Sequence, residues 1–211
     1  MADNYLERKM EEYLAQPAGG RSKPIATLTR LLRRNRSCRG YDSRFIVRAD
    51  QLRRIIAVNA LTPSARNRQA LRFRPVLSDE APKVLPLIRL GGALPQLHLP
   101  LPGTEPNAFI VICGTVPEDR DLDIDLGISA QSMLLEATEM GLNGLCIGAF
   151  DRQRLREALD LPLEPLLVVA IGKSIEHIEL VEVDASAPLA YYRQEGIHYV
   201  PKIRPDELII K

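Results

Sequence analysis

Tryptophan is absent from this 211-residue chain, and aromatic residues make up only 5% of it. A stacking platform for nucleic-acid bases is therefore poorly supplied. Cysteine is scarce: Cys38, Cys113 and Cys146 are odd in number and widely spaced, with no Cys-x-x-Cys pair. That pattern excludes a fully paired disulfide framework and a spacing-defined zinc site, and it suits a reducing cytoplasm. His98, His177 and His198 share no metal-ligand spacing and receive no role. Excess charge is missing too, because 28 basic residues balance 27 acidic ones to leave +1. No bulk field draws the chain to nucleic acid or an anionic membrane. No apolar run approaches the roughly 20 residues of a membrane span. The opening Met-Ala-Asp-Asn-Tyr-Leu-Glu-Arg-Lys has no apolar signal-peptide core, so export is not expected. Asp121, Asp123 and Asp125 superficially suggest a calcium loop, but Leu126 stands where that loop needs its sixth-position glycine.

What is present suits one soluble domain. Hydrophobic content of 45% and charged content of 26% are ordinary for a globular protein, and the length allows a sizeable core. Residues 1–24 read as an N-terminal helix and linker, since Leu6, Met10, Tyr13 and Leu14 share a helical face before Pro17-Ala18-Gly19-Gly20. The remainder, 25–211, reads as a single domain. A basic helix is expected near 25–35. Another begins with Asp50 as its N-cap and carries Leu52, Ile55 and Ile56. A short strand falls at Phe73 to Leu77. Residues 81–107 hold six prolines and three glycines and read as a long irregular segment, a lid or a cofactor-covering loop. Ala108 to Cys113 and Leu166 to Ile171 are apolar runs of strand length. Between them, Leu126, Ala130, Met133 and Ala137 recur at helical spacing over 123–140. Gly141 stops that helix, and Asp151 caps a shorter one. A third strand is expected at 178–183. The tail after Pro188 reads as irregular apart from a strand at 208–210. Helices and strands mix without βαβ alternation, so the class is α+β.

Two compact cationic clusters stand at opposite ends of that domain. Arg36-Ser37-Cys38-Arg39 brackets a hydroxyl with two guanidinium groups, and Pro201-Lys202-Ile203-Arg204 supplies an ammonium and another guanidinium. Such groups suit a phosphate monoester, which Arg forks bind bidentately. Each cluster taken alone also reads as a solvated surface patch.

Taken in order, four segments resemble the FMN-dependent nitroreductase family. Arg36-Ser37-Cys38-Arg39 is similar to the family's Arg-Ser-x-Arg, which holds the flavin phosphate and the pyrimidine edge. Pro63-Ser64-Ala65-Arg66-Asn67-Arg68-Gln69 is similar to Pro-Ser-x-x-Asn-x-Gln, which lies against the flavin of the partner subunit. The segment from Gly141 to Asp151 resembles a Gly-Leu turn, strand and flavin-edge loop whose backbone N–H groups point at flavin N5. Pro201-Lys202-Ile203-Arg204 is similar to the family's terminal phosphate clamp. The resemblance spans about residues 30–210. It implies a three-layer α-β-α sandwich with a mostly antiparallel sheet, in an intertwined homodimer wrapped by a tail over 188–211. It also implies FMN held by Arg36, Ser37, Arg39, Pro63, Ser64, Asn67, Cys146, Ile147, Gly148, Lys202 and Arg204. Hydride would pass from NADH or NADPH through the flavin to a nitroaromatic or quinone, in ping-pong fashion. Hydride transfer requires no acid or base, so no residue is nominated as catalytic.

The chain departs from the family at three places. Asn35 stands where many members carry another Arg, Gln69-Ala70-Leu71 replaces Gln-Pro-Trp, and Gly148-Ala149 replaces Glu-Gly, removing a carboxylate. Plainer readings stay open for each piece. Arg36 and Arg39 suit a helix C-terminus, Pro63-Ser64 a helix stop, and Gly148-Ala149 a turn into the Asp151 cap. Cys113 and Cys146 read as small buried hydrophobes. Cys38, between two Args, reads as packing or as a thiol of lowered pKa. Two other functions remain open. One keeps the flavin as a sensor or for flavin fragmentation. The other is a nucleic-acid-binding helix using Arg30, Arg33, Arg34, Arg36 and Arg39, which leaves Lys202 and Arg204 unexplained.

Overall fold

The computed structural model describes residues 28–92 and 97–210. The N-terminal helix and linker expected over 1–24 lie outside the described residues. The helices are α1 (Leu28–Arg34), α2 (Ala49–Ala57), α3 (Ala81–Val84), α4 (Arg120–Glu139) and α5 (Arg152–Ala158). The strands are β1 (Leu71–Val76), β2 (Ala108–Gly114), β3 (Asn143–Ile147), β4 (Glu164–Gly172), β5 (His177–Val183), β6 (Tyr192–Gln194) and β7 (Ile197–Ile203).

Every residue of β2 is buried. Strand side chains alternate between faces, so its continuous apolar run places one set of residues in each of two cores. Phe109, Val111 and Cys113 join one; Ala108, Ile110 and Ile112 join the other. Around β2 the sheet runs β1-β2-β4-β3, antiparallel throughout, with Ile110 opposite Val169 and Cys146 also opposite Val169 across β4. On one side α2 and α4 supply Leu52, Ile55, Ala130, Met133 and Ala137. On the other, α3 and α5 supply Ala81, Val84 and Leu155, joined by Leu87. The result is an α+β, three-layer sandwich.

Local chemistry sets the helix ends. Asp119 precedes α4 and accepts the Leu122 N–H at 2.7 Å, while Gly141 beyond the helix takes the left-handed φ of 79°. Asp151 caps α5 by accepting the Arg154 N–H at 3.0 Å. The cap expected at Asp50 is displaced. Arg48 holds the N-cap position and donates its backbone N–H to Gln51 Oε1 at 2.9 Å, while Asp50 sits in the first turn and pairs with the Arg48 guanidinium.

Two other expectations are corrected. The 81–107 segment is not irregular throughout. It begins with α3 and a 3₁₀ turn (Leu85–Leu87), because Ala81, Val84, Leu87 and Ile88 have apolar surface to bury. The tail is a second sheet, β5-β7-β6, in which β7 runs parallel to β5 and antiparallel to β6. Glu195 (φ 51°) and Gly196 (φ 80°) make the two-residue turn between β6 and β7, and positive φ at both positions suits a tight hairpin. No strand forms at 208–210. Pro205–Leu208 is a 3₁₀ turn, and Ile209 and Ile210 are exposed.

Candidate functional site

The chain after α1 reaches the main sheet at its β3 edge. Ser37 bridges Gly144 through the backbone, and the Cys38 N–H donates to the Gly144 carbonyl at 3.2 Å. Lys202 arrives from the far end of the chain on β7. A cavity of about 480 Å³ opens where they meet, lined by Arg36, Ser37, Arg39 and Lys202, with Gly144 and His198. The Arg36 guanidinium donates to the Leu32 carbonyl at 2.6 Å, and the Arg39 guanidinium to the Ser37 carbonyl at 3.3 Å. Nε of each arginine is nevertheless buried without a partner. Burial lowers the Arg36 pKa from its usual value. Orphaned cationic donors call for an acceptor, and an anion is the strongest one.

Arg39 is held at both ends. Its backbone N–H donates to Glu176 Oε2 at 2.6 Å, while its guanidinium lies 5.0 Å from the centroid of the Tyr191 ring. Glu176 Oε1 also takes the Arg193 guanidinium, and Arg193 Nε donates to His198 Nδ1 at 3.3 Å. The His198 ring packs against Tyr191 with centroids 5.1 Å apart, closing the circuit. His198 is 3% exposed, and burial pushes its pKa down. Sequence reasoning passed over Tyr191, Arg193, His198 and Glu176. The β6–β7 hairpin sets Arg193 opposite His198, and the pairing of β7 with β5 brings them to Glu176 and Arg39.

The other expected residues fall elsewhere. Arg204 does not line this cavity; its guanidinium pairs with Asp184 at 3.0 Å. Pro63 and Ser64 line a second cavity of about 300 Å³, with Ile56, Phe73, Asp125 and Ser129. That turn is strained, since Arg66, Asn67 and Gln69 have φ of 51°, 53° and 47°, a conformation non-glycine residues seldom adopt. Asn67 lies in the turn but not on the cavity wall, and its Oδ1 accepts from Gln69 Nε2 at 3.1 Å. The turn is tied to α4, where buried Asp125 accepts the Ala65 N–H at 2.8 Å. Gly148 lines a third cavity of about 420 Å³ with Ala149, Arg89 and Arg154. There the Arg89 N–H donates to the Ala149 carbonyl and the Asp151 N–H to the Leu87 carbonyl, fixing the loop. Ile147 is buried, whereas Cys146 on the opposite face of β3 is exposed, not buried as expected. Nor is the Cys38 thiol activated by its arginines. Burial dominates and pushes it up to about 11.

Residues 104–173 match the model of the Nitroreductase family. Over that stretch the chain is similar to the nitroreductase family. The matched stretch contains β2, α4, β3, α5 and β4, and so the Gly148 loop, but none of the cationic clusters. A candidate nitroreductase from Methanocaldococcus jannaschii is 37% identical over 57 residues, 27% of this chain and 29% of that relative. A nitroreductase family protein from Clostridium difficile superposes with a TM-score of 0.58 at 25% identity, covering 72% of this chain and 86% of that one. A nitroreductase-type structure from Exiguobacterium sibiricum, solved in complex with FMN, gives a TM-score of 0.58 at 19% identity, covering 79% and 93%. The nitroreductase architecture thus extends well beyond the matched residues.

Proposed function

We propose that this nitroreductase-type chain is an FMN-dependent oxidoreductase that takes hydride from NADH or NADPH and reduces a small electron-poor acceptor, a nitroaromatic or a quinone. The observation that carries the reading is the convergence of Arg36, Ser37, Arg39 and Lys202 on one cavity, with guanidinium N–H groups buried and unmet. FMN ends in a phosphate monoester, and this donor set suits one: guanidinium forks, a hydroxyl and an ammonium. Arg204 would add a contact by exchanging Asp184 for phosphate. Both partners of that bridge are about half exposed, so it is worth at most about 1 kcal/mol, less than a charge-assisted contact to a dianion.

When bound, the flavin supplies the redox chemistry, and the protein supplies position and electrostatics. Arg36, Ser37 and Lys202 would hold the phosphate. Arg39, fixed at both ends, would face charge that develops on the reduced ring, a preorganised electrostatic role. The Cys146-Ile147-Gly148 stretch would offer backbone along the ring edge. Pro63, Ser64 and Asn67 would wall the flavin of a second copy, making the working unit a homodimer. Purified protein should then be yellow and release FMN on denaturation. Its colour should bleach anaerobically with NADH or NADPH and return on adding the acceptor. A colourless protein that gains no absorbance with added FMN would overturn the proposal.

A further inference from the structure

The cavity wall includes a residue that no phosphate motif contains. We infer that His198 is a further ligand of the phosphate, donating its Nε2–H, and that Arg193 and Glu176 are positioning residues that fix this tautomer. The inference rests on the FMN reading of the same cavity. A guanidinium has donors only, so Arg193 Nε, at 3.3 Å, can meet His198 Nδ1 only through the nitrogen lone pair. The ring proton must then sit on Nε2. Arg193 is held by the Glu176 carboxylate, whose side chain is only 9% exposed and whose other oxygen binds the Arg39 backbone. Tyr191 packs on the His198 ring and sits beneath the Arg39 guanidinium, which limits ring rotation from the other side. His198 lines both the Arg36–Lys202 cavity and a smaller one of about 150 Å³ that holds Arg193 and Glu176. One ring nitrogen is thus committed to the brace, which leaves the other for the cavity. A neutral donor among the cations adds a directional hydrogen bond without adding like charge.

The test compares FMN with riboflavin, which has the same ring system and no phosphate. Each is titrated into the full chain and followed by flavin fluorescence, for wild type, His198→Phe, His198→Gln and Lys202→Ala. His198→Phe keeps the packing on Tyr191 and loses the donor. It should weaken FMN binding about tenfold and leave riboflavin binding unchanged. His198→Gln places an amide N–H near the Nε2 position and should recover most of the loss. Equal losses for both flavins, or none for FMN, would overturn the inference. If Lys202→Ala also leaves FMN binding unchanged, the phosphate reading itself fails. A second measurement does not depend on how the variants fold. Nitrogen-15 spectra of the wild-type imidazole should show Nδ1 unprotonated and Nε2 protonated, with Nε2 shifting on addition of FMN but not riboflavin. The opposite tautomer, or equal shifts with both flavins, also overturns it.

Discussion

Gly144 has no room for a side chain. A Cβ built there would lie 2.3 Å from the Ala170 carbonyl oxygen and 2.6 Å from Leu134 Cδ2. The glycine therefore lets β3 pair with β4 beneath α4 while its own carbonyl anchors Cys38 and so the Arg36–Arg39 segment. Gly144→Ala should destabilise the fold by about 1–3 kcal/mol in urea unfolding and weaken FMN as well, because the two roles share one backbone. The cations differ in what they risk. Lys202 lines the cavity directly, whereas Arg204 must first leave Asp184. Lys202→Ala should weaken FMN by one to two decades, the equivalent of about 1.5–3 kcal/mol, and by more than Arg204→Ala does in the same titration. Equal, negligible effects would remove both from the site.

At the scale of elements, the small β5-β7-β6 sheet brings His198 and Lys202 of β7 to the site and braces them with an ion pair behind the cavity. Arg193 (27% side-chain exposure) and Glu176 (9%) tie β6 to the segment before β5 and to the Arg39 backbone. Removing the cation strands a buried carboxylate, so Arg193→Ala should cost roughly 3 kcal/mol, the low end for a buried pair because Arg193 keeps some solvent. The same brace predicts a pH dependence. Burial depresses the folded-state pKa of His198, an effect reinforced by Arg193 and Arg39 and opposed by Glu176, with Lys202 across the same cavity. The unfolded chain therefore binds more protons below the ordinary imidazole value of about 6.5. Stability should be complete above that pH, fall as pH drops through it, and level off below the folded-state value. His198→Gln should flatten this limb in unfolding curves taken between about pH 5 and 8. None of this was readable in the chain. The strands β2 and β4 and helix α4 announced themselves by unbroken apolar runs and a 3.6-residue period. By contrast, β6 is three residues of mixed character, β7 carries Pro201 mid-strand opposite Val181, and Glu176 meets Arg193 only after the sheet forms. The cationic motifs were legible because phosphate chemistry restricts which residues can serve; the brace behind them obeys only geometry.

At the scale of the molecule, the motifs that resemble one flavin site do not share one cavity. The Pro63 turn is anchored at Asp125 of α4, whereas the Arg36–Lys202 cavity is lined by Leu134, nine residues further along that helix. At 1.5 Å per residue this is about 14 Å of helix. A second copy can bring the turn of one chain to the phosphate cavity of the other, and the surface has apolar groups to cover. Leu61, beside the turn, is 88% exposed, and Leu208, Ile209 and Ile210 at the tail are 67%, 70% and 98% exposed. Light scattering of the flavin-loaded protein should give twice the chain mass, and a monomer mass would sink the dimer. Mixed dimers test the composite site more sharply. In a heterodimer of a Lys202→Ala chain and an Asn67→Ala chain, one site inherits both substitutions and the other neither. Flavin titration should therefore find one site of wild-type affinity per heterodimer, whereas each variant homodimer has two weakened sites. Two equally weakened sites in the heterodimer would mean that each chain binds its flavin alone.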